Sequence, residues 1–416
     1  MTLVRHEMRL LLRSRMALLA LLLLALLSVA AIAAGMAEVA RQRDVIARIQ
    51  PKQAQDIAAI AAWVDKEKDA GSAAYYSFHP TWDAPAPLAF AALGLRDVAP
   101  YILRVRALGL EAQLYDGEAF NPELALPGRF DFSFVLVYLS PLFVIALFHD
   151  LVSGEREAGR LRMLDAMAGS GRHLWLRRVL LRGGLLFLAL GLPLTIGALL
   201  SHVALTTFLA VSGLVALYLA FWIGVTLLIG RMRWSSVANA ATLAGLWLVL
   251  TLVLPTIAHV AINRAIPVGQ GVELTLAQRE AVNRAWDIPR ADTMNAFYAH
   301  HPEWKNSPPL THEFHYKWYL AFHQVGDESV ASKVEAYRHG IEARDAVARG
   351  VGWVLPSVGV QAVLARLANT DMEAQLAYQD RVRAFHKKLR NFYYGYLFTD
   401  KPFGKADFDA APKFDG

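Results

Sequence analysis

A chain of 416 residues that is 55% hydrophobic, with a mean hydropathy of +0.32, is too apolar for an ordinary soluble protein of that size, and its apolar residues gather into runs long enough to cross a bilayer. The net charge of +6 sits largely on Arg at the ends of those runs, as the positive-inside rule requires, so the basic balance implies no nucleic-acid partner. The absence of cysteine excludes disulfides, thiolate metal sites and a Cys nucleophile.

Within residues 1–15, Arg5, Arg9 and Arg13 recur at i, i+4 and i+8, with Val4, Met8 and Leu11 on another face. This pattern predicts an amphipathic helix lying on membrane lipid at the cytoplasmic surface. Residues 16–36 follow as a first transmembrane helix. A cleaved signal peptide is the rival reading, but the apolar run is long for one, so an uncleaved span with a cytoplasmic N-terminus is expected. Residues 37–131 are mixed and polar. They read as a helix over 38–68, with Val45, Ile46, Ile49, Ile57, Ile60 and Val64 on one face. A loop-rich stretch follows, bearing Tyr75, Tyr76, Phe78, Pro80, Trp82, Pro100, Pro122 and Pro127. This is a first extracytoplasmic domain, whose aromatic cluster reads more simply as packing than as a substrate contact.

Residues 132–262 hold transmembrane helices two to five: 132–148 with Pro141 inside it, 179–200, 203–230 and 237–262. Ser201-His202 is a tight turn, and Arg231-Met232-Arg233-Trp234 a short basic loop. Asn239, Thr242, Thr251, Thr256 and His259 are polar positions in or near the fifth span. Such residues line a pathway or bond neighbouring helices. Between spans two and three lies a basic interruption, 150–178, with six Arg against Asp150, Glu155, Glu157 and Asp165. A short loop so rich in Arg is expected to stay in the cytoplasm. Leu161, Leu164 and Ala168 fall at helical spacing, and Gly169-Ser170-Gly171 reads as a stop, which predicts a short helix there. Its plain reading is a solvated loop. Its sharper one is a helix that receives force from a soluble partner.

Residues 263–416 read as a second, mainly helical extracytoplasmic domain. Helices are expected at 274–286, 312–322, 329–349 and 371–392, punctuated by Pro302, Pro308, Pro309 and Pro356. The stretch 351–364 is apolar, but at about fourteen residues with a proline it is short of the ~20 that a spanning helix needs.

Gly154-Glu155-Arg156-Glu157-Ala158-Gly159-Arg160-Leu161 resembles the G-E-R-E-x-G-T-L signature of type-2 ABC transporter (ABC-2 type) permease subunits, departing at Arg160, where the family has Thr or Ser. Tyr75-Tyr76-Ser77-Phe78-His79-Pro80 with Ala86-Pro87-Leu88-Ala89, Leu367-Ala368-Asn369-Thr370-Asp371, and Ala411-Pro412-Lys413-Phe414 resemble the branch that carries two large extracytoplasmic domains. The resemblance implies an all-α polytopic membrane protein with a six-helix ABC-2 type bundle and a broken fifth helix. Five spans are visible, and the sixth is expected after residue 416. It implies a non-catalytic permease subunit of a bacterial inner (plasma) membrane transporter that couples ATP hydrolysis by a separate subunit to export or envelope transport of an unidentified substrate. Its partners would be an ABC ATPase subunit, a second permease copy or homologue, and a periplasmic protein. ATP and Mg would be held by the ATPase, and this chain would bind no cofactor. Glu155, Arg156, Glu157, Gly159, Arg160 and Leu161 would dock the ATPase from the coupling helix, with Arg5 and Arg9 moving alongside, and Asn239, Thr242, Thr251 and His259 would line the pathway.

The residues fit that division of labour, since no G-x-x-x-x-G-K-[ST] loop occurs. Two alternatives stay open. One is an ATPase-driven scaffold that transmits force without cargo flux. The other is a membrane-anchored metallohydrolase using His312 and His315. That pair is spaced i, i+3 and lacks the i, i+4 geometry of H-E-x-x-H, so packed or surface histidines are the better reading. No G-x-S-x-G turn or basic aromatic array appears.

Overall fold

The computed structural model describes residues 2–115, 129–167, 171–269 and 271–416. In chain order its helices are α1 (Thr2–Arg13), α2 (Arg15–Glu67), α3 (Ala70–Tyr76), α4 (Leu110–Tyr115), α5 (Phe132–Glu157), α6 (Leu161–Met167), α7 (Gly171–Leu200), α8 (Leu205–Gly230), α9 (Ser236–Ala265), α10 (Gly271–Arg284), α11 (Arg290–His300), α12 (Tyr316–Val351), α13 (Pro356–Leu367) and α14 (Met372–Leu397). Five of them, α2, α5, α7, α8 and α9, are long and apolar enough to cross a membrane, and the chain is a polytopic, multi-pass membrane protein built mainly of helix. The one sheet among the described residues is a two-stranded antiparallel ribbon, β1 (His79–Trp82) and β2 (Ile102–Val105), in register from His79 opposite Val105 to Trp82 opposite Ile102.

The first span does not end where its hydropathy does. Ser14 separates α1 from α2, its side chain accepting from the Ala17 N–H at 3.4 Å. From there α2 runs unbroken for 53 residues, joining the expected span and the expected helix over 38–68 into one rod of about 80 Å. No glycine or proline stands between the two halves in 37–50. Pro51 is carried inside the rod, which ends at Lys68 in a left-handed turn (φ +53°).

The two spans with internal proline share a device. In α5 a π-turn covers Val135–Leu139, so the Ser140 N–H bonds the Val135 carbonyl, five residues back. The next carbonyl, Leu136, would then face Pro141, which has no N–H, and the Ser140 hydroxyl donates to it at 2.7 Å. In α9 the π-turn covers Val249–Val253, the Leu254 N–H bonds Val249, and Leu250 is the carbonyl left facing Pro255. Here the donor comes from another helix: the Ser357 hydroxyl at 3.0 Å. The fifth span is therefore distorted rather than broken. The carbonyls after Leu136 also find side chains, Val137 taking the Tyr218 O–H at 2.8 Å and Tyr138 the Trp247 N–H at 3.2 Å.

The bundle core gathers Leu24, Ile32, Leu136, Phe148, Leu190, Val215 and Trp222. One end is closed by the segment 88–93, every residue of which is buried. Phe90 fits there because spans one and three are glycine at the contact. A Cβ on Gly35 would lie 1.9 Å from the Phe90 carbonyl oxygen, and one on Gly197 would lie 2.7 Å from its ring.

Beyond that lid stands one helical body, not two. The stretches 37–131 and 263–416, expected as separate domains, share a single core in which Val64, Ala74, Val105 and Leu114 pack with Phe297, Phe322, Tyr378, Val382 and Tyr394. Ion pairs cross the same seam. Arg383 holds Glu111 through two nitrogens at 3.0 Å each, and Asp327 accepts from Arg390 at 2.7 Å and from the Leu110 N–H at 2.8 Å. The helices expected over 312–322 and 329–349 are one helix, α12, that starts only at Tyr316, and α11 was not foreseen at all. Pro122, Pro127 and Gly169-Ser170 lie outside the described residues.

Candidate foot of the membrane bundle

The side of the bundle opposite the body, its foot, is where residues 154–161 lie. α5 ends there in Ser153–Glu157, and the chain turns at Gly159, whose φ of +72° suits glycine, before α6 begins. Nothing lies within 4 Å of a Cβ at Gly159, so its role is backbone shape and not close packing.

Three consecutive charged residues reach neighbouring elements and brace the foot, Glu155 and Arg156 half-buried and Glu157 exposed. Glu155 accepts from Arg178 at 2.9 Å and from Arg160 at 2.8 Å, and Arg178 also reaches Glu7 of α1 at 3.2 Å. One carboxylate thus joins α5 to α7 and, through Arg178, to the N-terminal helix. Arg156 donates to the carbonyls of Met232, at 3.3 Å, and Trp234, both in the loop between α8 and α9. Glu157 accepts the Ser236 N–H at 2.6 Å and its hydroxyl at 3.0 Å, which satisfies a free N–H in the first turn of α9 where a negative charge is favoured. The Ser153 hydroxyl meets that of Ser236 at 2.8 Å. Deeper in, Arg182 donates to the Leu147 carbonyl.

The outward surface belongs to other residues. Arg160 keeps 57% of its side chain exposed while paired to Glu155. Arg162, Met163 and Ala166 of α6 are exposed, and Leu161 and Leu164 are half-buried against the bundle. Arg5 and Arg9 are exposed on α1, whose Leu11 is buried. Sequence reasoning singled out the segment 154–161 but missed Glu7, Arg178 and Ser236 as the residues it bonds. The signal available was thin: Glu7 is the one acid in an N-terminal helix of arginines.

The polar positions of the fifth span do not converge. Asn239 is buried and donates to the His149 carbonyl at 3.4 Å, its own oxygen unbonded among the described residues. Thr251 is buried in the π-turn, its hydroxyl likewise unbonded. Thr242 is half-buried, and His259 lies 2.9 Å from the Asn263 amide. From Asn239 to His259 is about 30 Å along the helix axis. His312 and His315 do not share a helical turn. His315 caps α12, its Nδ1 accepting the Lys317 N–H at 3.1 Å, and His312 precedes it in an irregular stretch. Among the described residues no three His, Cys, Asp or Glu gather in an arrangement that could hold a metal ion.

In the body, burial pushes His323 down to about 3, with Arg390 and Arg106 adding to the effect, and pushes His79 down to about 4. Asp131, which precedes α5, is pushed up to about 6 by burial.

A family model described as a domain of unknown function, DUF3526, matches residues 272–415, from α10 to the end of the body. No curated protein and no solved structure matches the chain.

Proposed function

We propose that this chain is the membrane-spanning subunit of an ABC transporter, with the foot of the bundle in the cytoplasm and the body outside, in a bacterial inner membrane. The observation that carries the reading is the brace at the foot. Glu155, Arg156 and Glu157 tie α1, α7 and the α8–α9 loop to the end of α5, which leads through Gly159 and Arg160, itself paired to Glu155, into a short helix, α6, that presents Arg162, Met163 and Ala166 to solvent. A push on α6 reaches three other elements through short polar contacts. That is what a two-state bundle driven by a separate ATPase needs. The ATPase would hold ATP and Mg, and a second copy of the chain or a homologue would complete the permease. The docking surface is α6 with Arg160, and Glu155 and Glu157 act behind it as positioning residues.

A second reading, force delivered to the body without cargo flux, draws on α2. The helix that crosses the membrane continues into the body's core at Ala61 and Val64, so tilt at the foot moves the body directly.

The test is co-purification of the tagged chain in nanodiscs with the products of its neighbouring genes co-expressed. An ATPase retained by the wild type and lost on R162E/M163E, with unchanged thermal stability of the chain, supports the reading. No ATPase retained under any nucleotide condition ends it. Flux in proteoliposomes then separates transport from force delivery.

A further inference from the structure

On α14, Arg383, Lys387, Arg390 and Asn391 recur at the three- and four-residue spacing that places side chains on one face of a helix. That face lines a cavity of about 370 Å³ in the body. Its other walls are α4 at Glu111, the end of α11 at His300, and α12 at Asp327 and Glu328. A cavity of that volume is at the small end of the range for ligand sites, and such sites are ordinarily mostly apolar. This one has Leu110 as its single aliphatic side chain among the described residues, which suits a hydrophilic solute and no lipid. It also lies beyond the bilayer. Arg344 of α12 donates to the Ile266 carbonyl, just past the fifth span, at 2.8 Å, and Glu328 stands sixteen residues (344 − 328) further into the body, about 24 Å along the helix.

The floor of the cavity is closed and matched in charge. Arg390 donates to Asp327 at 2.7 Å and to the Leu108 carbonyl at 2.8 Å, and Arg383 spends two nitrogens on Glu111 at 3.0 Å each. The rim is unmatched. Lys387 and Asn391, both exposed, have no hydrogen bond or ion pair among the described residues. On the α12 wall, Glu328 takes the Gln324 amide on one oxygen at 3.0 Å. Its other oxygen is buried and has no hydrogen-bond donor among the described residues. The neutral His300 ring stands 2.9 Å from that oxygen but gives its Nδ1 hydrogen to the Ala296 carbonyl at 3.2 Å. A buried acceptor without a donor is costly, and a ligand N–H relieves that cost. His300 is an exposed side chain, so a change of its rotamer opens the way to Glu328.

We propose that this cleft binds a small zwitterion of the amino-acid or short-peptide class, its carboxylate on Lys387 and the Asn391 amide and its ammonium on Glu328. The walls carry one unmatched cation and one under-satisfied carboxylate, so they recognise the two ends of one molecule. A simple anion would gain Lys387 and meet Glu328, and a simple amine would gain Glu328 and meet Lys387. The floor, with its charges cancelled in pairs, adds no preference for net charge and holds the two walls in place. A bound zwitterion would tie α12 to α14 across the cleft. The inference needs only that the body stands in water, and it stands or falls apart from the ATPase proposal.

The full chain in nanodiscs is titrated with alanine, trialanine, N-acetyl-trialanine and trialanine amide, and binding is followed by saturation-transfer NMR on the probe's methyl groups. Alanine or trialanine is expected to bind saturably. Each singly capped peptide is expected to bind at least about tenfold more weakly than trialanine, the scale of one lost charge-assisted contact. In E328Q the penalty for N-acetylation is expected to vanish, and in K387Q that for C-terminal amidation, while K387R retains it, because capping and substitution remove the same contact and do not add. No saturable binding of alanine or trialanine overturns the proposal. Equal binding of trialanine and N-acetyl-trialanine shows a site for anions alone, and equal binding of trialanine and its amide a site for amines alone; either overturns it. Penalties unchanged in E328Q and K387Q place the binding elsewhere on the chain and overturn it too. The capped peptides test both contacts on the wild type, so the proposal stays open to refutation should a variant fail to fold.

Discussion

Arg178 stands between Glu155 and Glu7, 2.9 Å from the first and 3.2 Å from the second, with all three side chains less than a fifth exposed. One guanidinium therefore bonds two carboxylates from two helices, and its fork can serve both because its donors diverge in a plane. Removing it leaves two acids facing each other where little water reaches.

R178A is expected to destabilise the chain by about 3 kcal/mol, the scale on which a partly buried charge loses its partner. R160A removes the exposed arm of the same network and is expected to cost about 1 kcal/mol or less. Thermal unfolding in nanodiscs, followed by tryptophan fluorescence, separates them. Equal effects of the two would mean that Arg178 is no more embedded than Arg160.

The lid over the bundle gives a steric prediction. G35A puts a methyl group into the Phe90 carbonyl, a backbone atom that cannot swing away, and is expected to lower stability by at least about 3 kcal/mol. G213A, in α8, meets nothing within 4 Å and is expected to change it little. The measurement is the same thermal scan, with folded yield as a second readout. A well-folded G35A protein would mean that the contact between α2 and segment 88–93 is looser than the structure has it.

These contacts mark where the sequence could be read and where it could not. All five spans stood out because a run of some twenty apolar residues matches the thickness of a bilayer's hydrocarbon core and is costly to leave in water. The Glu155–Leu161 segment stood out because its charges interrupt such runs. What stayed hidden was direction. Glu155, Arg156 and Glu157 look like free surface charge in sequence, and their bracing role depends on Arg178, on the Met232 and Trp234 carbonyls and on Ser236, whose approach only the folded bundle reveals. The length of α2 was hidden for the opposite reason: hydropathy marks the edge of the membrane, and a helix need not stop there. The single body was hidden because each of its halves has enough apolar residues to suggest a core of its own. The two proline-linked turns, Val135-Leu136 to Pro141 and Val249-Leu250 to Pro255, share a V-L-x-x-x-x-P spacing, but its meaning needs the carbonyls that each proline leaves open.

His323 carries a pH prediction for the body. It stacks on Phe322 at 4.9 Å, and neither ring nitrogen has a hydrogen-bond partner among the described residues. Its folded value, about 3, lies below the ordinary 6.5, so between the two the native state binds fewer protons than the unfolded one. Stability from this group is complete above pH 6.5 and is lost as pH falls toward 3. His79 and the deeply buried His386 act in the same direction. H323F fits the aromatic stack and removes the proton site. It is expected to be at least as stable as the wild type at pH 7.5 and to gain about 2 kcal/mol on it by pH 5. A gap that does not widen on acidification would mean that His323 is protonated in the fold at little cost.

Asp131 reverses the sign. It caps the start of α5 through the Phe134 N–H and at the same time takes the Leu93 N–H, each at 2.9 Å, so its carboxylate is the joint between the lid and the second span. Burial pushes its value up to about 6 from the ordinary 3.8, and Asp97 adds repulsion. The native state binds more protons than the unfolded one between those values. The contribution of Asp131 is therefore largest below pH 4 and declines as pH rises through 6. D131N keeps an oxygen to cap the helix and cannot ionise. Its stability relative to the wild type is expected to rise by about 3 kcal/mol between pH 4 and pH 7, opposite in slope to the histidine effect and measurable in the same samples. If the difference between D131N and wild type stays flat over that window, the two backbone N–H groups hold the charge well enough to cancel its burial, and the joint is indifferent to pH.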